Sequence, residues 1–259
     1  MLVILLFFLG LVIGSFLNAL IWRLHSGEKI SVGRSHCVHC GHSLRFRDLW
    51  PVISFILLRG KCRDCSKNIS WQYPIIELVT AILFGVISYY FLGWEAINVS
   101  WQVYLKLAIY LIFTAILVVI FVYDCLYYLI LDKVTIPAMI IAVIAGVVLG
   151  LPWWDMALGG LVGFGFFYLQ YLVSSGRWIG GGDLRLGLLM GLMLGWKKTI
   201  VALLLAYWVG AVVSLIFLAL KKKEWKSEIP FGTFLTASTL LVLFYGNWLV
   251  DWYLRFMGI

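Results

Sequence analysis

Apolar residues fall in long unbroken runs along this chain, and polar residues are gathered between them. Eight runs stand out: 1–22, 74–92, 102–123, 134–151, 156–174, 184–196, 198–220 and 230–254. A hydrocarbon core about 30 Å thick takes roughly 20 helical residues to cross, fewer where neighbouring helices shield a short one. The pattern therefore predicts an all-α polytopic membrane protein with eight transmembrane helices. The sixth run is the shortest, is rich in Gly and Met, and is divided from the seventh only by Lys197-Lys198. The first run is uncharged and has no basic stretch before it, so it predicts a retained helix rather than a cleaved signal peptide.

Composition narrows the class. The 259 residues are 63% apolar and 12% charged, against about 25% charged in an average soluble domain, which excludes a water-soluble globule. Lys and Arg outnumber Asp and Glu by twenty to twelve, a formal charge of +8. That charge is concentrated: residues 23–73 hold nine basic and three acidic side chains, all four His and four of the five Cys. With the N-terminus outside, the inner loops 23–73, 124–133, 175–185 and 221–229 carry sixteen of the twenty basic residues, as the positive-inside rule requires. Both termini are then expected outside. Fusing the sixth and seventh runs would reverse the C-terminus and expose Lys221 to Lys226, which is why two helices are expected there. The basic excess points to anionic lipid headgroups, and no folded nucleic-acid module is visible.

Cys37-x-x-Cys40 and Cys62-x-x-Cys65 are separated by 21 residues, close to the spacing of a four-thiolate zinc ribbon. Each knuckle offers two thiolates from one tight turn, and two knuckles close a tetrahedral shell. Such a closed shell is structural, and it supplies folding energy that a loop of about 50 residues lacks in its own core. A redox disulfide pair is the other reading, and a reducing compartment disfavours it. His36, His39 and His42 flank the first knuckle as solvated residues or as a substitute ligand. The apolar stretch Leu49 to Leu58 is too short to span, so it is expected in the membrane interface or under the ribbon.

Ionisable residues beside membrane runs are functional candidates. Asp124 ends the third run, Asp132 precedes the fourth, and Asp183 follows Gly180-Gly181-Gly182 before the sixth. Two intervening helices return the chain to the same face, so Asp124 and Asp183 are expected at one depth on the cytoplasmic side. In a carboxylate pair, repulsion keeps one carboxyl protonated while the other ionises, which allows general acid–base hydrolysis of a peptide. Glycines before Asp183 let a substrate backbone approach closely. The structural alternatives are that Asp183 is an N-cap, that Asp132 caps the fourth helix and that the glycines are ordinary loop. Acidic pairs also occur in transporters.

These residues resemble the type IV prepilin peptidases, bacterial membrane aspartic proteases of the GxGD class. The resemblance rests on Gly14-Ser15-Phe16-Leu17-Asn18 with Trp22-Arg23-Leu24, on Ser35 to Gly41, on Asp48-Leu49-Trp50-Pro51-Val52 and on Arg59 to Cys65. It continues through Tyr73-Pro74-Ile75-Ile76-Glu77, Gly180-Gly181-Gly182-Asp183 and Pro230-Phe231-Gly232. Leu131 stands where the family usually has Pro, and Arg185 where it has Lys. The resemblance implies an eight-helix bundle organised as a first helix (1–22), a zinc-binding cytoplasmic domain (23–73) and a seven-helix protease core (74–259). It implies cleavage of the leader of type IV prepilins or pseudopilins at the cytoplasmic face of the bacterial inner membrane. Methylation of the new N-terminus with S-adenosylmethionine as donor is implied too.

The catalytic aspartates then map to Asp124 and Asp183, with Asp124 preferred to Asp132 for its place at a helix end, and Gly180, Gly181 and Gly182 as substrate-binding positions. The resemblance further implies a bifunctional enzyme, since the archaeal members generally lack the cysteine domain. No Rossmann-type glycine loop appears, so no residue is assigned to S-adenosylmethionine. Glu77 is a candidate for the methylation or substrate region, or a snorkelling interface residue. Two other functions are kept beside this one. A proton-coupled transporter would use the acidic residues as a relay, and a non-catalytic anchor would merely present the zinc loop.

Overall fold

The computed structural model describes residues 1–30, 33–93, 100–220 and 230–256. Among them the chain is helical, with two isolated antiparallel bridges in the cysteine loop and no strand. The helices are α1 (Leu2–Ser26), α2 (Ile53–Leu57), α3 (Gln72–Leu92), α4 (Trp101–Tyr127), α5 (Asp132–Val148), α6 (Trp153–Ser174), α7 (Gly181–Leu194), α8 (Trp196–Ala219) and α9 (Phe231–Phe256). Each apolar run is occupied by a helix. Six of them, α1, α3, α4, α6, α8 and α9, are long and apolar enough to cross a membrane. The other two fall short: α5 has 17 residues and α7 has 14, or about 26 Å and about 21 Å at 1.5 Å per residue. The expected inner loop 221–229 lies outside the described residues.

Residues Met1–Ala115 and Ile116–Ile259 form two compact units. In the first, α1 packs along α3. Glycine makes that approach possible, because a Cβ at Gly10 or Gly14 would lie 2.7 Å from the Cα of Ala81 or Glu77. Asn18, one turn further along α1, donates from Nδ2 to the carbonyls of Gly14 (3.3 Å) and Tyr73 (3.1 Å) and so holds the start of α3.

In the second unit α7 is the hub, packed against α5, α6, α8 and α9. Its contact with α6 is backbone on backbone: a Cβ on Gly159 or Gly163 would collide with the carbonyl of Gly191 or Gly187. Small residues at matched turns are how membrane helices gain close packing when water supplies no hydrophobic force between them. The chain leaves α7 through Gly195, whose φ of 75° suits glycine, and α8 starts at once, its Trp196 N–H bonded to Asp155 Oδ1 at 3.2 Å. The sixth and seventh runs are thus two helices. Buried hydroxyls inside this unit are satisfied locally, as in Thr199 to the Gly195 carbonyl (2.6 Å) and Thr239 to Leu235 (2.6 Å), so they cost little in an apolar interior.

Candidate active site and metal centre

The two cysteine knuckles are built alike. In the first, the Cys37 N–H bonds to His42 O (2.9 Å) and the Gly41 N–H to Cys37 O (2.8 Å); in the second, Cys62 bonds to Lys67 (2.8 Å) and Ser66 to Cys62 (3.0 Å). The residue after each knuckle takes a left-handed φ, 70° at Gly41 and 56° at Ser66, which turns both pairs of thiols inward. The four sulfurs of Cys37, Cys40, Cys62 and Cys65 lie within 4.8 Å of one another, and Cys37 Sγ is 4.0 Å from Cys65 Sγ. Tetrahedral thiolates at about 2.3 Å from zinc stand roughly 3.8 Å apart, so the set fits a metal ion with little adjustment. Burial pushes the Cys37 thiol up, yet the backbone N–H groups of Cys40 and His39 outweigh it and bring it down to about 7.

The histidines stay out of the cluster. His36 Nε2 lies 3.6 Å from Glu28 and His42 Nε2 lies 3.7 Å from Asp64. Asp48 ties the turn at Phe46–Leu49 to the second knuckle through Arg63, with N–O distances of 2.8 and 2.9 Å. Burial pushes that carboxyl up, but the Arg63 guanidinium and the Arg45 N–H hold it below the usual carboxylate range.

Glu77 is buried, only 6% exposed, which overturns the snorkelling alternative. Its Oε2 accepts the Val52 N–H at 2.7 Å, and Ser15 hydrogen-bonds it from α1. Val52 has a φ of 60°, a conformation that costs a β-branched residue about 1–3 kcal/mol. The glutamate thus anchors a strained turn of the cysteine loop to α3.

In the second unit the aspartates come together. Asp124 is 4% exposed. Its Oδ2 is sealed from solvent with no hydrogen-bond partner among the described residues, while the carboxyl faces the backbone N–H groups of Gly232 and Thr233 in the first turn of α9. Asp183 is near enough for its charge to interact with that of Asp124. It is not the N-cap of its helix. Gly180 holds that position, and Asp183 sits in the first turn of α7, its N–H bonded to Gly180 O at 3.1 Å, where the helix dipole favours an anion.

Asp132 is not a side-chain cap either: Leu131 is the N-cap of α5, and Asp132 pairs with Arg185 of α7. Of the three glycines, Gly180 and Gly181 are exposed, with open space where a Cβ at Gly181 would point. Gly182 is packed instead, because a Cβ there would lie 2.9 Å from Ile130.

Three neighbours were not singled out as site residues in the sequence. A Cβ at Gly232 would lie 2.7 Å from Asp124 Oδ2 and 3.0 Å from Ile130 Cδ1, so Gly232 and Ile130 shape the wall around Asp124. Tyr207 of α8 lies within electrostatic reach of Asp183, donates to Gln170 Oε1 at 2.9 Å and packs on Phe231 with ring centroids 4.8 Å apart. Pro230-Phe231-Gly232 was visible as a motif, but its contact with Asp124 spans more than a hundred residues and has no local signal.

Comparison with known proteins covers both units. Residues 8–91 match the bacterial peptidase A24 N-terminal domain, and residues 111–215 match the type IV leader peptidase family. A prepilin leader peptidase/N-methyltransferase of Pseudomonas aeruginosa is 30% identical over 96% of this chain and 92% of its own length. Proteins of the same name from Xanthomonas campestris pv. campestris and Bacillus subtilis are 31% and 28% identical, over 97% and 96% of this chain and 94% and 97% of their own lengths. No solved structure matches the chain. With family models on both units and relatives aligned over nearly the whole length, the chain belongs to the type IV leader peptidase family.

Proposed function

We propose that this protein cleaves the leader peptide from type IV prepilins or pseudopilins and methylates the new N-terminus. The protease chemistry is assigned to Asp124 and Asp183, and the observation that carries it is their meeting beside the open backbone of Gly180 and Gly181. The ionised carboxylate takes a proton from water, and the protonated partner donates to the scissile carbonyl oxygen as the hydroxide equivalent adds to the carbonyl carbon. The gem-diol then returns a hydroxyl proton to the second carboxylate as the C–N bond breaks, and the first carboxyl passes its proton to the leaving nitrogen. Gly180 and Gly181 offer backbone groups to an extended substrate, while Gly182 seats the turn on Ile130. The pairing of Asp132 with Arg185 supports Asp124 as the first catalytic residue. S-adenosylmethionine supplies the methyl group.

The organisation proposed is a first helix (1–22), a zinc-binding loop domain (23–73) and a seven-helix core (74–259). The four cysteines hold structural zinc, supported by their soft, closed donor set. Eight helices cross the bacterial inner membrane, α5 and α7 as short spans shielded by their neighbours, with both termini outside and the aspartates and zinc loop cytoplasmic. The loop's basic residues face anionic lipid.

The test is purified protein in proteoliposomes supplied with a prepilin and labelled S-adenosylmethionine. Leader release followed by label on the shortened pilin is expected. Cleavage without label would leave a peptidase alone, and substrate flux without cleavage would favour the transporter. A steric prediction belongs beside it. Gly232→Val puts a side chain into the Asp124 carboxyl and should cut cleavage by about tenfold or more, as sub-ångström misplacement of catalytic groups does, while the helical circular dichroism is retained. Unchanged turnover would remove Gly232 from the site.

A further inference from the structure

The helix α2 is inside out for a domain in water. Ile53, Ile56 and Leu57 occupy positions i, i+3 and i+4, one stripe of a helix, and all three are exposed, Leu57 by 76%. The opposite side carries packing within the module: Phe55 meets Trp71 at a tilt of 59° with centroids 4.9 Å apart and covers Gly60, where a Cβ would lie 3.1 Å from its ring. Phe46, 81% exposed, and Trp50, half exposed, precede the stripe in the chain. Contiguous open apolar groups of this kind mark a surface that something covers.

The flanking charges say what covers it. Arg45, Arg47, Arg59 and Lys61 are all exposed, while the one acid within that stretch, Asp48, is neutralised by Arg63. The segment also lies between two chain ends that enter membrane helices, α1 and α3. An apolar stripe with tryptophan and a rim of basic residues is the composition of an element lying in the headgroup layer. We propose that α2, with Phe46 and Trp50, inserts into the boundary between headgroups and acyl chains of the bilayer. The rim arginines and lysine bind anionic phospholipid, and the zinc module is thereby held flat on the membrane. The assignment to the cytoplasmic leaflet rests on the proposed topology; the insertion itself does not.

The test uses the full chain in phosphatidylglycerol-containing vesicles, with photoreactive benzoylphenylalanine replacing Phe46, Ile56 or Leu57, and Ser43, exposed and polar on the same module, as control. Phospholipid adducts at the three apolar positions and none at Ser43 are expected. Crosslinked dimers, or no lipid adduct at any of the three, would overturn the proposal. In a second arm, Ile56→Glu with Leu57→Glu should keep zinc and cleave a water-soluble leader peptide within about twofold of wild type. The same variant should cleave bilayer-embedded prepilin about tenfold more slowly. Equal loss on both substrates would also count against insertion. If the wild type cleaves neither substrate, the peptidase reading fails, and the adducts still decide the insertion.

Discussion

Asp124→Asn and Asp183→Asn are each expected to slow leader cleavage by roughly 10²–10⁴-fold, the range that a positioned acid or base contributes. Each variant removes one partner of a pair whose charges interact directly, so the two losses should not add. The double variant is expected to be little worse than either single one, as for groups that act as a unit. Folding should survive, because Asn is isosteric with Asp and its amide oxygen can still accept from the Gly232 and Thr233 N–H groups that face the Asp124 carboxyl. Asp132→Asn is the internal control. It breaks the pair with Arg185, in which both side chains are 47% exposed, and exposed pairs contribute at most about 1 kcal/mol. Its cleavage rate should stay within about tenfold of wild type. Purified variants assayed under single turnover would show this ordering; an Asp132 variant as inactive as Asp124→Asn would transfer the first catalytic role.

Cys62→Ser is expected to have the second largest effect, on metal and stability first and on turnover second. Cys62 is the most buried of the four thiols, 7% exposed, and its backbone closes the second knuckle onto Lys67. Serine offers a hard oxygen where zinc prefers thiolate. Zinc–thiolate sites in small domains contribute on the order of 10 kcal/mol of folding energy, and the loop has little core to replace it. The variant should lose bound zinc by elemental analysis and become sensitive to protease between α1 and α3. Cleavage should fall less completely than with the aspartate variants. Zinc retained at wild-type stoichiometry would contradict the four-thiolate assignment.

Much of the architecture was legible because membrane helices and metal knuckles leave signals within a few residues of themselves. Apolar run length located the helices to within a turn, and the Cys-x-x-Cys spacing picked out the four sulfurs that cluster. The short helices were harder. Composition cannot say whether 17 or 14 residues cross a bilayer, since that depends on which neighbours shield them.

The start of α7 lies three residues before the apolar run for a different reason. Gly180-Gly181-Gly182 also reads as ordinary loop with Asp183 as an N-cap, yet Gly181 and Gly182 are helical and Asp183 sits in the first turn, so it is that structural alternative which fails. Asp132 looked like a cap and is instead paired across helices with Arg185, 53 residues away. Gly232 and Ile130 were missed because what matters about them is the absence or presence of bulk beside Asp124, a relation created only by packing. Glu77 was recognisable as unusual, but its partner Val52 lies on a loop whose turn no periodicity describes.

The most direct measurement is the intact mass of a prepilin co-expressed with wild-type protein, Asp124→Asn or Asp183→Asn. The wild type should yield pilin that lacks its leader and carries one added methyl group, while both variants leave the leader attached. Leader-free pilin from either single variant, at the wild-type proportion, would contradict the aspartate pair as the cleaving site.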